Sequence, residues 1–338
     1  MPGREGRMKI AVLGPNKPFW GARIVLVPFL RALRNLYPGA TVRLHSPVRP
    51  TAELLRWGLI DEHRTYRRAA WTRVLADLRR WWPDRVYNLR RKSAGMCLAT
   101  AAAGGRRIGY AEGLLTRFLD ERAVYDSHVY LATRYLALVD ESVRGGSDAR
   151  SVPLFRQWMT ERIGAADDTA RHLLLLPGAG NAEKKWPLER FLELARALGT
   201  DAGGRAVCVI GPGEPAERSA LAGGGDVEVV DSPRVDALLR LVESASLVVA
   251  NDNGPSHLAQ LSGRRFLGLY RAGWSTVEDW FLDRPNADLL VTEPETGMDS
   301  LSVDAVAAAA RSVLGREGLA ERLVRFSRAE AERPRARE

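Results

Sequence analysis

The chain has 338 residues, 46% of them hydrophobic, and a formal net charge of +9, which is long for one domain and comfortable for two. No apolar run approaches the roughly 20 residues that span a bilayer, and the short, charged N-terminus enters a strand directly, unlike a secretory signal. The two cysteines, Cys97 and Cys208, sit in apolar contexts as ordinary thiols and suit a reducing, cytoplasmic compartment, and no Cys/His cluster could hold zinc.

In chain order, the first half predicts a strand over 9–14, the loop "PNKPFWGA", and a helix over 23–37 closed by Pro38-Gly39. A strand over 41–45 follows, then helices over 52–59 and 71–82, a strand over 85–89, a helix over 92–103, a strand over 107–110 and a helix over 128–139. "DESVRGGSDARSVP" is polar and Gly-rich and reads as the connection between domains. Beyond it the alternation restarts: strands over 173–176, 206–210, 227–230, 247–250 and 289–291, and helices over 187–198, 234–245 and 302–314. The 187–198 helix has apolar residues at Leu188, Phe191, Leu192, Ala195 and Leu198, one 3.6-residue face. Such alternation predicts α/β domains with parallel sheets covered on both faces. The boundaries read as 1–155 and 156–316, with a charged tail or helix over 317–338. Ligands of such domains bind outside the carboxyl ends of the strands, so the loops that follow strands are the places to look.

Three of those loops, all in the second half, carry suggestive chemistry. In "LLLLPGAGNAEKKWPLERF", Gly178 and Ala179 lie in a turn that lets backbone approach a ligand, and Lys184 and Lys185 precede a helix start that already favours an anion. The same pattern equally fits a lysine-decorated surface turn. In "VCVIGPGEPAERSA", Glu214 could accept from a ribose diol or simply complement the next helix. In "VVANDNGPSHLAQLSGRRFLGLY", Gly254 reads as an N-cap before Pro255. That leaves the amides of Ser256 and His257 for phosphate, with Asp252 and Asn253 beside them; the plain alternative is a routine strand-to-helix turn. Together the three loops hold the inventory for a nucleotide diphosphate-sugar.

At these residues the chain resembles glycosyltransferase family 9, the ADP-heptose:lipopolysaccharide heptosyltransferases and their relatives. The likeness rests on Pro177-Gly178-Ala179, on Lys184-Lys185-Trp186-Pro187, and on "DNGPSHLA" from Asp252 to Ala259; Glu214 matches the family's ribose-binding acid. The first domain agrees more loosely, through "LVPFLRALRNLYPGA", the basic loop "NLRRKSA" and "RRIGY". The resemblance implies a GT-B architecture, two Rossmann-like domains facing each other across a cleft, with donor in the second and acceptor in the first. It implies an inverting, metal-independent transfer without a cofactor, in which Lys184 stabilises the leaving diphosphate. The donor is expected to be ADP-heptose, and Lys17, Arg90, Arg91 and Lys92 are the expected acceptor contacts.

One position departs from the family. Where its members carry Gly-Asp, the Asp being the general base, this chain has Gly21-Ala22. Glu112, Asp126 or His128 could substitute, or the protein could bind a sugar nucleotide without turning it over. The charge is also uneven: residues 1–160 hold 28 Lys+Arg against 13 Asp+Glu, and residues 161–338 hold 22 against 28. A basic first half suits an anionic acceptor, whether a lipopolysaccharide core or a natural product such as an antibiotic precursor, and leaves room for peripheral membrane contact. Nucleic acid is not expected, because the aromatic-basic signatures of common RNA folds are missing.

Overall fold

The computed structural model describes residues 7–17, 19–47, 52–66, 70–112, 114–140, 150–164, 171–222, 227–273 and 277–316. The chain divides into two compact units, 1–154 and 155–338. Unit 1 contains the strands β1 (Lys9–Leu13), β2 (Thr41–Ser46), β3 (Glu62–Thr65), β4 (Arg85–Asn88), β5 (Arg106–Tyr110) and β6 (Glu121–Ala123). Its helices are α1 (Gly21–Ile24), α2 (Val27–Leu36), α3 (Ala52–Arg56), α4 (Trp71–Trp81), α5 (Ala94–Ala101) and α6 (Leu131–Leu136). The division between units falls inside α7 (Ser151–Ile163). Unit 2 contains β7 (His172–Leu176), β8 (Ala206–Ile210), β9 (Val227–Asp231), β10 (Ala245–Asn251), β11 (Phe266–Tyr270) and β12 (Ala287–Val291). Its helices are α8 (Leu188–Leu198), α9 (Pro215–Leu221), α10 (Val235–Ser244), α11 (Ser256–Ser262), α12 (Val277–Trp280) and α13 (Val303–Leu314).

Each unit is built on one six-stranded sheet, in the orders β3-β2-β1-β4-β5-β6 and β12-β11-β10-β7-β8-β9. All pairs are parallel. Both orders are the doubly wound Rossmann arrangement, so the α/β class and tandem Rossmann-like units expected from the sequence are what the chain has. Strands covered on both faces must be apolar throughout, and β7, β8 and β11 are buried at every residue. In unit 2, Leu173, Cys208, Val249 and Leu267 pack under Trp186, Phe191 and Val306. The predicted apolar face of α8 is close to the observed one: Phe191, Leu194 and Leu198 are fully buried, and Leu188, Leu192 and Ala195 partly so. In unit 1, Ala11, Leu13 and Val86 pack against Val74, Leu78 and Met96.

The differences from the sequence reading have local causes. The single helix expected over 23–37 is two, because Pro28 enters the first turn of α2 and the chain turns at Leu26. Ser151, Val152 and Pro153, assigned to the connection, open α7 instead; a proline so near a helix start removes no needed hydrogen bond. Residues 141–149 of that connection, and the tail 317–338, lie outside the described residues. Strands β3 and β6, missed in the sequence, are short charged edges (EHRT and ERA) with no apolar run to announce them. Among the described residues no helix is long and apolar enough to cross a membrane.

Candidate functional site

In each sheet the strand order reverses between two neighbours, β1 and β4 in unit 1, β7 and β10 in unit 2. The carboxyl ends of that pair are where doubly wound folds hold ligands. In unit 2 these ends carry the Pro-Gly-Ala turn and the Asn-Asp-Asn-Gly corner.

The corner is wired by two asparagines. Asn251, fully buried at the last position of β10, donates Nδ2–H to the Pro177 carbonyl at 2.6 Å and accepts from the Trp186 amide at 3.1 Å. Asn253 donates Nδ2–H to the carbonyls of Leu176 at 3.0 Å and Gly178 at 2.8 Å. Its Oδ1 accepts from the Ser256 amide at 2.8 Å, while the Ser256 hydroxyl donates to the Asn253 carbonyl at 2.7 Å. Asn253 therefore holds the first amide of α11, and the N-cap position falls on Pro255, not Gly254. The amides of Ser256 and His257 are not free for phosphate as the sequence suggested: the second donates to the Gly254 carbonyl at 3.2 Å. The Ser256 and His257 side chains are buried too, and the imidazole lies 5.3 Å from the Trp280 ring.

The cations are aimed by a buried anchor. Trp186 is 1% exposed, donates its indole N–H to the Leu301 carbonyl at 2.9 Å, and meets Phe191 edge-on. With Trp186 pinned, Lys184 and Lys185 must leave the core. Lys184 Nζ donates to Asp252 Oδ2 at 2.6 Å, which brings together the two motifs of β7 and β10. Lys185 pairs with Glu217 of α9. Burial pushes the Glu217 carboxyl up, but the Lys185 hydrogen bond, a backbone N–H and the ammonium charge outweigh it, and its pKa falls below the usual range. Arg271, the residue after β11, pairs with Glu183 of the same lysine loop. The sequence reading gave no role to Asn251, which opens the polar corner, and missed Glu217 and Arg271, which no local pattern marks.

Glu214 turns back on its own strand end, Oε2 accepting from the Gly211 amide at 2.7 Å. Its carboxylate also lies against Gly178: a Cβ there would stand 1.5 Å from Glu214 Oε1. Gly178 is thus small because Glu214 occupies the space, whereas a Cβ on Gly180 would meet nothing. The carboxylate, the glycine turn and the Lys184–Asp252 pair form one polar surface over β7, β8 and β10. It offers acceptors for hydroxyls and ammonium charge for an anion.

In unit 1 the expected acceptor contacts cluster after β1 and β4. Arg90 donates to the Tyr66 hydroxyl at 2.8 Å. Arg91 pairs with Glu112 and stacks 3.6 Å from the centre of the Tyr125 ring. Lys92 is exposed, and Lys17 lines a depression with Ala22, Arg23 and Ser46. Of the candidate bases, Glu112 is engaged by Arg91, Asp126 Oδ1 accepts the His128 amide at 2.8 Å, and His128 is exposed. Among the described residues no group of His, Cys, Asp and Glu could hold a metal ion.

The chain matches the glycosyltransferase family 9 (heptosyltransferase) pattern over residues 71–276. It is 29% identical over 112 residues to the lipopolysaccharide core heptosyltransferase OpsX of Haemophilus influenzae, a stretch that spans 31% of each chain. Among solved structures, it is similar to the ADP-heptose lps heptosyltransferase II of E. coli, with a TM-score of 0.61 at 20% identity over 91% of this chain and 98% of that one. It is likewise similar to E. coli heptosyltransferase WaaC with ADP-2-deoxy-2-fluoro heptose, with a TM-score of 0.67 at 17% identity over 90% and 99%.

Proposed function

The chain belongs to glycosyltransferase family 9, and from that premise we propose that it transfers a heptose from ADP-heptose to a hydroxyl of an anionic glycan or natural product, with inversion and without a metal. The observation that carries the donor reading is the Lys184–Asp252 pair at the reversal of the second sheet, 2.6 Å long and flanked by Glu214. In this reading the diphosphate takes Lys184 from Asp252, and Lys185 and Arg271 add charge from either side. Preorganised cations stabilise the leaving group without reorganising as charge develops on it. Glu214 accepts from the ribose hydroxyls. The ADP-sugar analogue in the WaaC structure supports the choice of nucleotide and sugar. The excess of Lys and Arg in residues 1–160, and the lipopolysaccharide core named for OpsX, support an anionic acceptor. The free thiols Cys97 and Cys208 suit work in the cytoplasm.

A panel of ADP-, GDP-, UDP- and dTDP-sugars, read by melting temperature and by release of nucleoside diphosphate, tests this. ADP-heptose should shift melting most and yield ADP; no response to any member would refute the reading. Ala22, 2% exposed where the family carries a carboxylate, favours one second reading, a donor-binding protein without turnover. It predicts the melting shift without ADP.

A further inference from the structure

The amino end of the first sheet carries a large aromatic side chain that its surroundings do not bury. Trp82 closes α4 with φ 51° and ψ 69°, the left-handed region, and its amide donates to the Leu78 carbonyl at 2.8 Å. Glycine or asparagine ordinarily takes this position, because a larger side chain strains the backbone there. Here the residue is tryptophan, and it is 50% exposed. The indole rests on Gly104, where a Cβ would stand 2.8 Å from Trp82 Cε2, so the ring is seated against the backbone. Its neighbour Trp81 packs inward instead, with the Arg43 guanidinium 3.9 Å from the centre of its ring.

The charge around Trp82 is cationic. Lys9 donates its amide to Asp84 Oδ2 at 2.7 Å and its Nζ to the Trp81 carbonyl at 3.3 Å, which sets the start of β1 beside the end of α4. Arg7 and Met8 come just before it, and both are exposed. The acidic groups along this edge are already engaged: Asp84 by Lys9, Asp120 by Arg107, and Glu121 by Arg85 and Arg106. Arg7, Arg79 and Arg80 are exposed and have no ion pair or hydrogen bond among the described residues.

We propose that this edge of unit 1 docks on an anionic lipid surface, with Trp82 entering the headgroup layer and Arg7, Arg79 and Arg80 meeting lipid phosphates. Tryptophan favours the membrane–water boundary, where its ring lies in apolar and its N–H in polar surroundings. Each arginine beside it adds attraction to anionic headgroups. Charge alone would suit any polyanion; the exposed indole, with Met8 nearby, is what selects a bilayer. A protein partner fits less well, because a stable interface buries about 800 Å² on each side around an apolar centre, which Trp82 and Met8 do not furnish. The expected acceptor contacts Lys17 and Arg90 to Lys92 follow β1 and β4 at the opposite end of the sheet, so the docking edge does not overlap them. The inference is independent of the donor reading.

The test floats the full chain, without ADP-heptose, on vesicles of phosphatidylcholine alone and of phosphatidylcholine mixed with phosphatidylglycerol. Wild type should bind only the mixed vesicles, and less tightly as salt rises. The double variant Arg79→Gln, Arg80→Gln should bind about 25-fold more weakly, roughly fivefold for each cation at an anionic surface. Trp82→Gly relieves the left-handed strain and should fold with no loss of melting temperature, yet lose about tenfold or more in vesicle affinity. Trp82→Asn, which also tolerates that conformation, should lose as much. Vesicle affinity within twofold of wild type in both Trp82 variants would overturn the proposal. So would equal binding to the two kinds of vesicle, or binding to heparin with none to either vesicle, which marks a general polyanion site.

Discussion

At the scale of single residues, the proposed donor surface consists of charges that already have partners. Lys184 is held by Asp252, and both are largely shielded, with side chains 18% and 11% exposed. Removing one member takes its 2.6 Å partner from a charge that is already largely shielded, which costs more than the pair itself contributes. Lys184→Ala should therefore lower kcat by about 10²–10³-fold, the usual cost of deleting one preorganised group at a developing charge. Wild-type turnover by that variant, measured as ADP release, would remove Lys184 from the mechanism. Asp252→Ala removes one partner of Lys184 and a carboxylate from the corner, and weaker ADP-heptose binding in calorimetry is the expected result. Gly178→Ala is a sharper probe, because it adds a single methyl group. That methyl would stand 1.5 Å from Glu214 Oε1, so the carboxylate or the turn must move. Donor affinity should fall at least tenfold, and the double variant Gly178→Ala, Glu214→Gln should lose little more than either alone.

At the scale of elements, Asn253 joins β7, β10 and α11. Its side chain serves two carbonyls and one amide, all hidden from water in part. Asn253→Ala should cost about 2 kcal/mol, combining a lost acceptor for the first amide of α11 with unsatisfied carbonyls. Denaturant unfolding would read this, and an unchanged midpoint would reduce Asn253 to a surface residue. This element also shows what a sequence can announce. β7, β8 and β11 are legible because parallel strands buried on both faces are uninterrupted apolar runs. The lysine loop and the Asn-Asp-Asn-Gly corner are legible because glycine, proline and charge interrupt those runs. The wiring between them is not. Asn253 reads in the sequence as a polar side chain beside a ligand site, yet folding spends it on backbone 75 and 77 residues away. Glu53 reads as one more charge in a short helix, and its link to Trp20 across 33 residues exists only once α3 packs beside α1. Edge strands β3 and β6 were invisible for the opposite reason, being too charged and short to carry a pattern.

At the scale of the whole molecule, stability should depend on pH through buried histidines, His45 foremost. His45 on β2 is 1% exposed. Its Nε2 lies 3.5 Å from Asp77 Oδ2 without a hydrogen bond. Burial lowers its pKa from 6.5 to about 4; Asp77 opposes this, while Arg43, Arg64 and His63 reinforce it. Between those two values the unfolded chain binds a proton that the folded one refuses, so stability falls as pH falls, with no dependence from this group above the unfolded pKa. The loss by pH 4 should be about 3 kcal/mol from this group. His45→Gln, titrated by guanidinium unfolding at pH 7 and pH 4.5, should show a shallower slope than wild type, and an identical slope would acquit His45. The central claim concerns unit 2: a sheet whose reversal point is proposed to hold a nucleotide sugar. The most direct measurement is a calorimetric titration of ADP-heptose into the wild-type chain and into the Lys184→Ala and Gly178→Ala variants. The account predicts saturable single-site binding to wild type, weakened at least tenfold in both variants. No heat of binding to wild type, or one affinity shared by all three chains, would contradict it.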